Sequence, residues 1–565
     1  MRLPDRSFPV SPPINLGAWC LALLCSLLAS RAWAEEVRVK LLGLNDFHGQ
    51  LSPRREAGRP IGGAAVLVSY LKAAAAGAEN VFFVHAGDHV GASPANSSLL
   101  QDEPSISMLN LLANPSCVYG RSRQPKCNVI GTFGNHEFDE GQSELMRLIK
   151  GGDHPSGPFL EPHWRGARFG YVNANVVQTK SRLPLVDPFT VQRVPGAAIG
   201  FIGAVLRGAP AVVTPSGVAK LTFLDEAESI NRAVKQLKQS GVRAIVVLIH
   251  QGLEQEPYLG PTRSNLAVPT GALAEILPKL DGEVDVVVSG HTHEFTNVLM
   301  PNAHGIPILV TQGFYAGMGF HEIDLVIDKR SGDVVSKNAR IVSTWGDDGP
   351  GLTPDAEAAA LVAQADARVA DKVNIAIGSA AAAIRRKQND AGESALGNLI
   401  ADALRATMGS DFAIINPGGI RADFDAGPVS WGQVFTVQPF RNKLIELTLT
   451  GQQLYDLLNQ QWGGEQPAGG RMLQISGFGY TWDSSVPEGG QRVLEVHDAR
   501  GKISREASYR LTANAFLAEG GDGFRVLTSG TYPRGGGIDL DVLAAYLKNL
   551  PQPFNARIEG RIQRR

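Results

Sequence analysis

The feature that most constrains this chain is a recurrence: short β-branched runs that each end in Asp, Asn or His. "VRVKLLGL" (37–44) runs into Asn45-Asp46-Phe47-His48, "VFFVHAG" (81–87) into Asp88, and "NVIGTF" (128–133) into Gly134-Asn135-His136. Later, "AIVVLIH" (244–250) closes on His250 and "VDVVVSG" (284–290) on His291-Thr292-His293. Between such runs, "DEAESINRAVKQLKQSG" sets Ile230, Ala233, Val234 and Leu237 at helical spacing behind an acidic first turn. Alternation of this kind predicts layered α/β structure. Ligands gather where the strands of such a sheet finish, so five polar strand ends predict one crevice. Asp and His are also the residues that hold borderline divalent cations, through carboxylate oxygen and imidazole nitrogen. Any one of these ends taken alone reads more readily as a turn or a satisfied core group; the weight lies in their order and common setting. His85, His89, His154, His163, His304, His321 and His497 lack that setting and read as structural or solvated.

A chain of 565 residues with 44% hydrophobic side chains has room for more than one core. Residues 1–34 read as an export leader: Arg2 and Arg6, the apolar stretch "AWCLALLCSLLAS", then "AWA" before Glu35. That stretch is short of the roughly 20 residues of a membrane span, so the expectation is an exported protein without a stable membrane anchor. With 53 basic and 55 acidic side chains, nothing points to a nucleic-acid polymer as partner. Cys117 and Cys127 frame a polar loop, "CVYGRSRQPKC", and predict one local disulfide in an oxidising compartment, the alternative being two independent thiols. Gly and Pro followed by an alanine-rich helical pattern mark a linker, 349–373, between an α/β half (35–348) and a second half with its own α+β core (374–565).

The ordered set "NDFHG", "GDHVGAS", "GNHEFD", a strand-end His and "GHTH" resembles the calcineurin-like metallophosphoesterases, and within them the 5'-nucleotidase and UDP-sugar hydrolase family. The resemblance spans nearly everything after Val37. It implies a four-layer α/β/β/α domain joined by a helical linker to an α+β nucleotide-binding domain, and two divalent ions: zinc, manganese, cobalt or iron. Carried over by motif, Asp46, His48, Asp88 and His293 would hold one ion, and Asp88, Asn135, His250 and His291 the other. His136 and Asp139 match the family's catalytic His-Asp dyad; Glu137 between them reads as a helix-start carboxylate.

In the second half, "NPGGIR", "VQPF" and "NAFLAEGGDGF" are similar to the family's nucleotide-binding segments. The resemblance implies that Phe440 and Phe516 sandwich a base, Asp522 accepts from ribose hydroxyls, and Asn416 and Arg421 bind substrate. Phe440 follows a proline and is expected at a strand end. Pro417 stands where several relatives have glycine and removes a backbone donor. Arg386 is offered as a further phosphate ligand, with Arg385 beside it. The function implied is release of phosphate from 5'-mononucleotides, extending to UDP-sugars or other nucleotide diphosphates. The alternatives are 2',3'-cyclic or 3'-nucleotide or NAD-type hydrolysis on the same scaffold, and a non-catalytic exported nucleotide-binding protein.

Overall fold

The computed structural model describes residues 36–565 apart from 122, 264–267, 465 and 468. The expected leader and its cleavage point before Glu35 lie outside the described residues. The β-branched runs form two six-stranded sheets. In the first the strand order is Val334–Ser343, Gly319–Asp328, Glu36–Leu44, Val81–His85, Val129–Gly131, Gly170–Tyr171. In the second it is Phe295–Pro301, Pro307–Gly313, Val284–Ser289, Ala244–His250, Ala197–Val205, Phe189–Val194. In both sheets the central strands pair in parallel; the second sheet has an antiparallel pair at each edge, and the first has antiparallel pairs on the Val334–Ser343 side only, its other edge strand, Gly170–Tyr171, being parallel to its neighbour.

The runs read as continuously apolar because both faces of each sheet are covered. Along Glu36–Leu44, Val37, Val39 and Leu41 enter the core between the sheets, while Leu42 and Leu44 face the outer helices. In Ala244–His250, Val246 and Leu248 point to the same central core, and Ile245, Val247 and Ile249 turn outward. The outer layer on the second sheet includes the helix Glu226–Gln239, capped by the Asp225 side chain accepting from Glu228 N at 3.0 Å. It buries the expected Ile230, Ala233, Val234 and Leu237. Helices Ala64–Ala75, Glu103–Leu112 and Gly141–Lys150 cover the first sheet. The result is the four-layer α/β/β/α arrangement.

Helix Ala356–Val373 follows the Gly/Pro segment, with Asp355 accepting from Ala358 N as its cap. It is not a free-standing spacer: Ala358, Ala365 and Val369 join the core that covers the first sheet. The remainder builds a five-stranded sheet in the order Gln474–Ser476, Phe412–Ile415, Ser508–Asn514, Lys443–Thr450, Thr531–Ile538. Helices Ala395–Met408, Trp431–Val437 and Asp539–Asn549 pack on one face and helix Gly451–Asn459 on the other. This half is α+β, as expected. Cys117 and Cys127 are disulfide-bonded and buried. Among the described residues no helix is long and apolar enough to cross a membrane.

Candidate active site

All seven expected metal ligands meet where the strands of the two sheets end. The loop after Glu36–Leu44 is hydrogen-bonded to the loop after Val81–His85: Asp46 N donates to Gly87 O (3.2 Å), His48 N to Asp88 O (2.9 Å) and Gly49 N to His89 O (3.1 Å). The second sheet is tied in through His291 N, which donates to the Asp46 carboxylate at 2.9 Å, and the third loop through His136 N, which donates to Asp88 Oδ1 at 2.8 Å. Such close convergence requires small residues. A Cβ on Gly134 would lie 2.1 Å from Asp88 Oδ1, and one on Gly87 would lie 2.3 Å from Gly134 N.

The ligand positions carry backbone strain. Asp46, His48, Asp88, His291 and His293 all have φ between 47° and 78°, a region non-glycine residues seldom occupy. Concentration of five such residues in one cluster marks a site whose geometry the surrounding fold imposes. The imidazoles are also oriented: His48 Nδ1 donates to Gly91 O (2.9 Å) and His250 Nδ1 to Ala86 O (2.8 Å), which leaves both Nε2 atoms free to ligate.

The donor set fits two cations. Three groups of side chains each bring their ligand atoms within 4.8 Å of one another: Asp46, His48 and His293; His48, Asp88 and His136; Asp88, His250 and His291. His250 Nε2 lies 3.0 Å from Asp88 Oδ2 yet is not aligned to hydrogen-bond, and it and the buried Asn135 Oδ1 have no hydrogen-bond partner. His48 Nε2 and His293 Nε2 approach to 3.1 Å. Buried polar atoms are ordinarily satisfied, and His250 Nε2 and Asn135 Oδ1 are left with acceptor or ligand capacity unused. Burial holds the His48 imidazole well below its ordinary pKa and, with His250 beside it, brings His291 down to about 3, so both are neutral and ligand-ready.

His136 Nδ1 is 2.7 Å from Asp139 Oδ2, which leaves Nε2 for the cleft. Burial pulls this imidazole down, but Asp139 and Asp88 outweigh it and raise its pKa above the ordinary value. Glu137 lies at a helix start, as expected, and does more there than that reading states. It opens a short 3-10 turn, but its carboxylate is buried and accepts from Asp88 N and His89 N, each at 2.9 Å, and from Gly134 N. It therefore fastens two ligand loops together, a role its sequence position does not advertise.

The second half supplies the facing wall. A cavity of about 220 Å³ is lined by Asn135, His136, Asp139 and His291 on one side and Asn416, Arg421, Phe440, Phe516 and Asp522 on the other. Asn416 Nδ2 donates to Asp522 Oδ2 at 2.7 Å. Phe440 follows the helix Trp431–Val437 rather than a strand; its ring stacks on His136 with centroids 5.7 Å apart, and the Arg421 guanidinium lies 5.9 Å from its centroid. Phe516 sits in the helical turn Ala515–Ala518, its ring packed on Gly521.

Of the arginine pair, Arg385 is engaged by Asp425 (2.9 Å) and Asp423 (3.4 Å), while Arg386 is exposed, donates to Ile420 O (3.2 Å), and lies close enough to Arg421 to lower its pKa. Arg386 does not line the cavity itself. Asn442, Arg471 and Asn514 also line it: the first two stand outside every motif, since isolated Asn and Arg carry no spacing signal, and Asn514 opens the segment "NAFLAEGGDGF", in which the resemblance gives roles only to Phe516 and Asp522. His321 is structural as expected: it bridges Thr311 and Asn45 (2.8 Å each), and Asn45 in turn donates to Asp46 at 2.7 Å.

Residues 39–295 match the family model of the calcineurin-like phosphoesterases, and residues 373–529 that of the 5'-nucleotidase C-terminal domain. The Bacillus subtilis protein named endonuclease YhcR is 34% identical over 540 residues, 94% of this chain and 41% of that protein, so this chain spans about two fifths of its length. Cell wall protein Lmo0130 of Listeria monocytogenes is 34% identical over 576 residues, 94% of this chain and 70% of that one. The solved structure of a 5'-nucleotidase precursor from Thermus thermophilus matches with a TM-score of 0.76 at 29% identity, covering 94% of this chain and 99% of that chain. Fold, strand-end ligands and these matches together define a calcineurin-like phosphoesterase, a class of metal-dependent phosphoric ester hydrolases. Within that class, the chain belongs to the 5'-nucleotidase family.

Proposed function

We propose that this protein hydrolyses 5'-mononucleotides to nucleoside and phosphate in the cleft between its halves, with UDP-sugars and other nucleotide diphosphates as a further substrate class. The observation that carries this reading is the shared cavity on which the dyad, His291 and Asn135 face Arg421, Asn416, Phe440, Phe516 and Asp522. Export to the periplasm, and the division into a metal-binding domain (35–348), a linker (349–373) and a substrate-binding domain (374–565), belong to the same reading.

Asp46, His48, Asp88 and His293 would hold one ion, and Asp88, Asn135, His250 and His291 the other, with Asp88 common to both. Two divalent ions, drawn from zinc, manganese, cobalt or iron, supply Lewis-acid chemistry when bound: they acidify water and withdraw charge from phosphate oxygens. The chain's own groups do the rest. The His136 imidazolium, oriented at Nδ1 by Asp139, offers Nε2–H to the negative charge that develops on the phosphoryl and leaving oxygens. Arg421 grips phosphate with paired donors, and Arg386 adds a second positive charge nearby. Phe440 and Phe516 offer faces for a base, and Asp522 accepts from the ribose hydroxyls. Closure of the second half over the first excludes water from the reacting phosphate.

The test is phosphate release by the metal-reconstituted protein from 5'-AMP, 3'-AMP, 2',3'-cyclic AMP and UDP-glucose. Preference for 5'-AMP supports the reading. Preference for the cyclic or 3' substrate retains the metal chemistry and overturns the assignment of the second half, and no turnover with any metal overturns both.

A further inference from the structure

Asp522 is a buried carboxylate assembled from segments far apart in sequence, and one of its neighbours belongs to none of the motifs. Asn416, at the end of strand Phe412–Ile415, donates to Oδ2 at 2.7 Å. Arg471, just ahead of strand Gln474–Ser476, places Nη1 3.6 Å from Oδ1. Gln466 links the two: its Nε2 donates to the Asp522 carbonyl at 2.7 Å, and its Oε1 accepts from Arg471 Nη1 at 3.3 Å. Asp522 itself is held at φ 54°. Arg471 and Asp522 both line the cleft.

The geometry points to Arg471 as a specificity-determining residue for ribose: it holds Asp522 as a carboxylate with Oδ1 open to the cis-diol, so that the cleft selects nucleosides bearing the 2' and 3' hydroxyls. This deepens the nucleotide reading given above and rests on it. The argument is one of distance. At 3.6 Å the guanidinium neutralises the carboxylate without donating a hydrogen bond to it, so Oδ1 keeps its acceptor capacity, whereas Oδ2 is already committed to Asn416. A buried carboxylate lacking a counter-charge would be protonated and would lose half of its acceptor role. Burial pushes the Asp522 carboxyl up, and Arg471 is the leading influence that opposes it, ahead of Asn416. The ring through Gln466 fixes the guanidinium in this position. Arg471 is thus a positioning residue, acting on the sugar through Asp522.

The experiment measures binding of adenosine and of 2',3'-dideoxyadenosine to the full chain by calorimetry, which requires no turnover. The wild-type protein is expected to prefer adenosine. R471M should weaken adenosine roughly tenfold while leaving dideoxyadenosine within about twofold, the scale of one charge-assisted hydrogen bond. R471K, which keeps the charge, should restore most of the preference. Should R471M fail to fold, R471Q carries the same comparison. A ribose preference that survives removal of the charge, or equal weakening of both ligands, overturns the inference alone. Failure of the wild-type protein to bind adenosine overturns the nucleotide reading and this inference with it.

Discussion

The two walls of the cleft are built on different terms. On the side of the first half, the expected ligands are buried, apart from the half-buried His291 and His293; five of them stand at positive φ, and their loops are hydrogen-bonded to one another through backbone groups and through Glu137. On the facing side, Phe440, Phe516 and Arg421 are half-buried side chains on short helical turns and loops. The first wall places charge where chemistry needs it and leaves little freedom to move, as preorganised electrostatic catalysis demands. On the proposed reading the second would accommodate different bases, because stacking asks only for a π-face. Phe440 joins the two, since it stacks on His136.

The strongest way to break this division is at Asp88, the ligand proposed to be shared. Asp88→Asn should lower kcat by about a thousandfold or more, because on the proposed assignment one carboxylate would serve both cation positions. Metal analysis of the purified variant should show less than two ions per chain, and added manganese or zinc should not rescue it. Activity of the unaltered protein, by contrast, should vanish with a chelator and return with metal.

Next in size, His136→Ala should cost about 10²- to 10⁴-fold in kcat with metal content unchanged. The dyad also sets a pH dependence. Because Asp139 and Asp88 raise the His136 pKa, the charged imidazole persists above the ordinary histidine range and activity falls only as pH climbs through the raised value. Asp139→Asn removes one of the raising carboxylates and should move the alkaline limb of the kcat profile to lower pH. An unmoved limb would assign that limb to another group.

Phe440→Ala should raise KM for 5'-AMP about 5- to 100-fold, the range of one base-aromatic stack. Its effect on p-nitrophenyl phosphate sharpens the comparison. Unchanged turnover of that substrate places Phe440 wholly on the specificity wall; an equal loss shows that its contact with His136 serves the chemistry. Smallest in catalytic effect is the paired change Cys117→Ala with Cys127→Ala. It should leave kcat within about twofold and lower stability by about 2–3 kcal/mol, for loss of a short closed loop, read as a drop in Tm.

Much of the first wall was legible in the sequence because strand ends converge whenever parallel strands stack. An apolar run followed by Asp or His announces both its secondary structure and the direction in which its polar end points. The same rule placed Glu137 at a helix start but could not show what its carboxylate fastens, since its backbone partners, Asp88 and His89, lie 49 and 48 residues away. The second wall was legible only through family resemblance. Phe440 was expected at a strand end and lies after a helix, because one aromatic residue after a proline has no periodicity to place it. Arg471 and Asn442 were passed over because isolated residues of these types carry no spacing signal.

The sequence by itself determined the layered architecture, the α+β character of the second half, the acidic first turn and buried face of helix Glu226–Gln239, and which residue types the strand ends present. Those properties follow from periodicity and local backbone preference, which are written within a few residues. Tertiary structure alone decided that helix Ala356–Val373 packs into the first domain's outer layer, that Phe440 meets His136, and that Asp522 lies between Asn416 and Arg471. Contacts of that kind depend on how whole layers come to rest against one another, and no local pattern records the distance between side chains that only packing brings together.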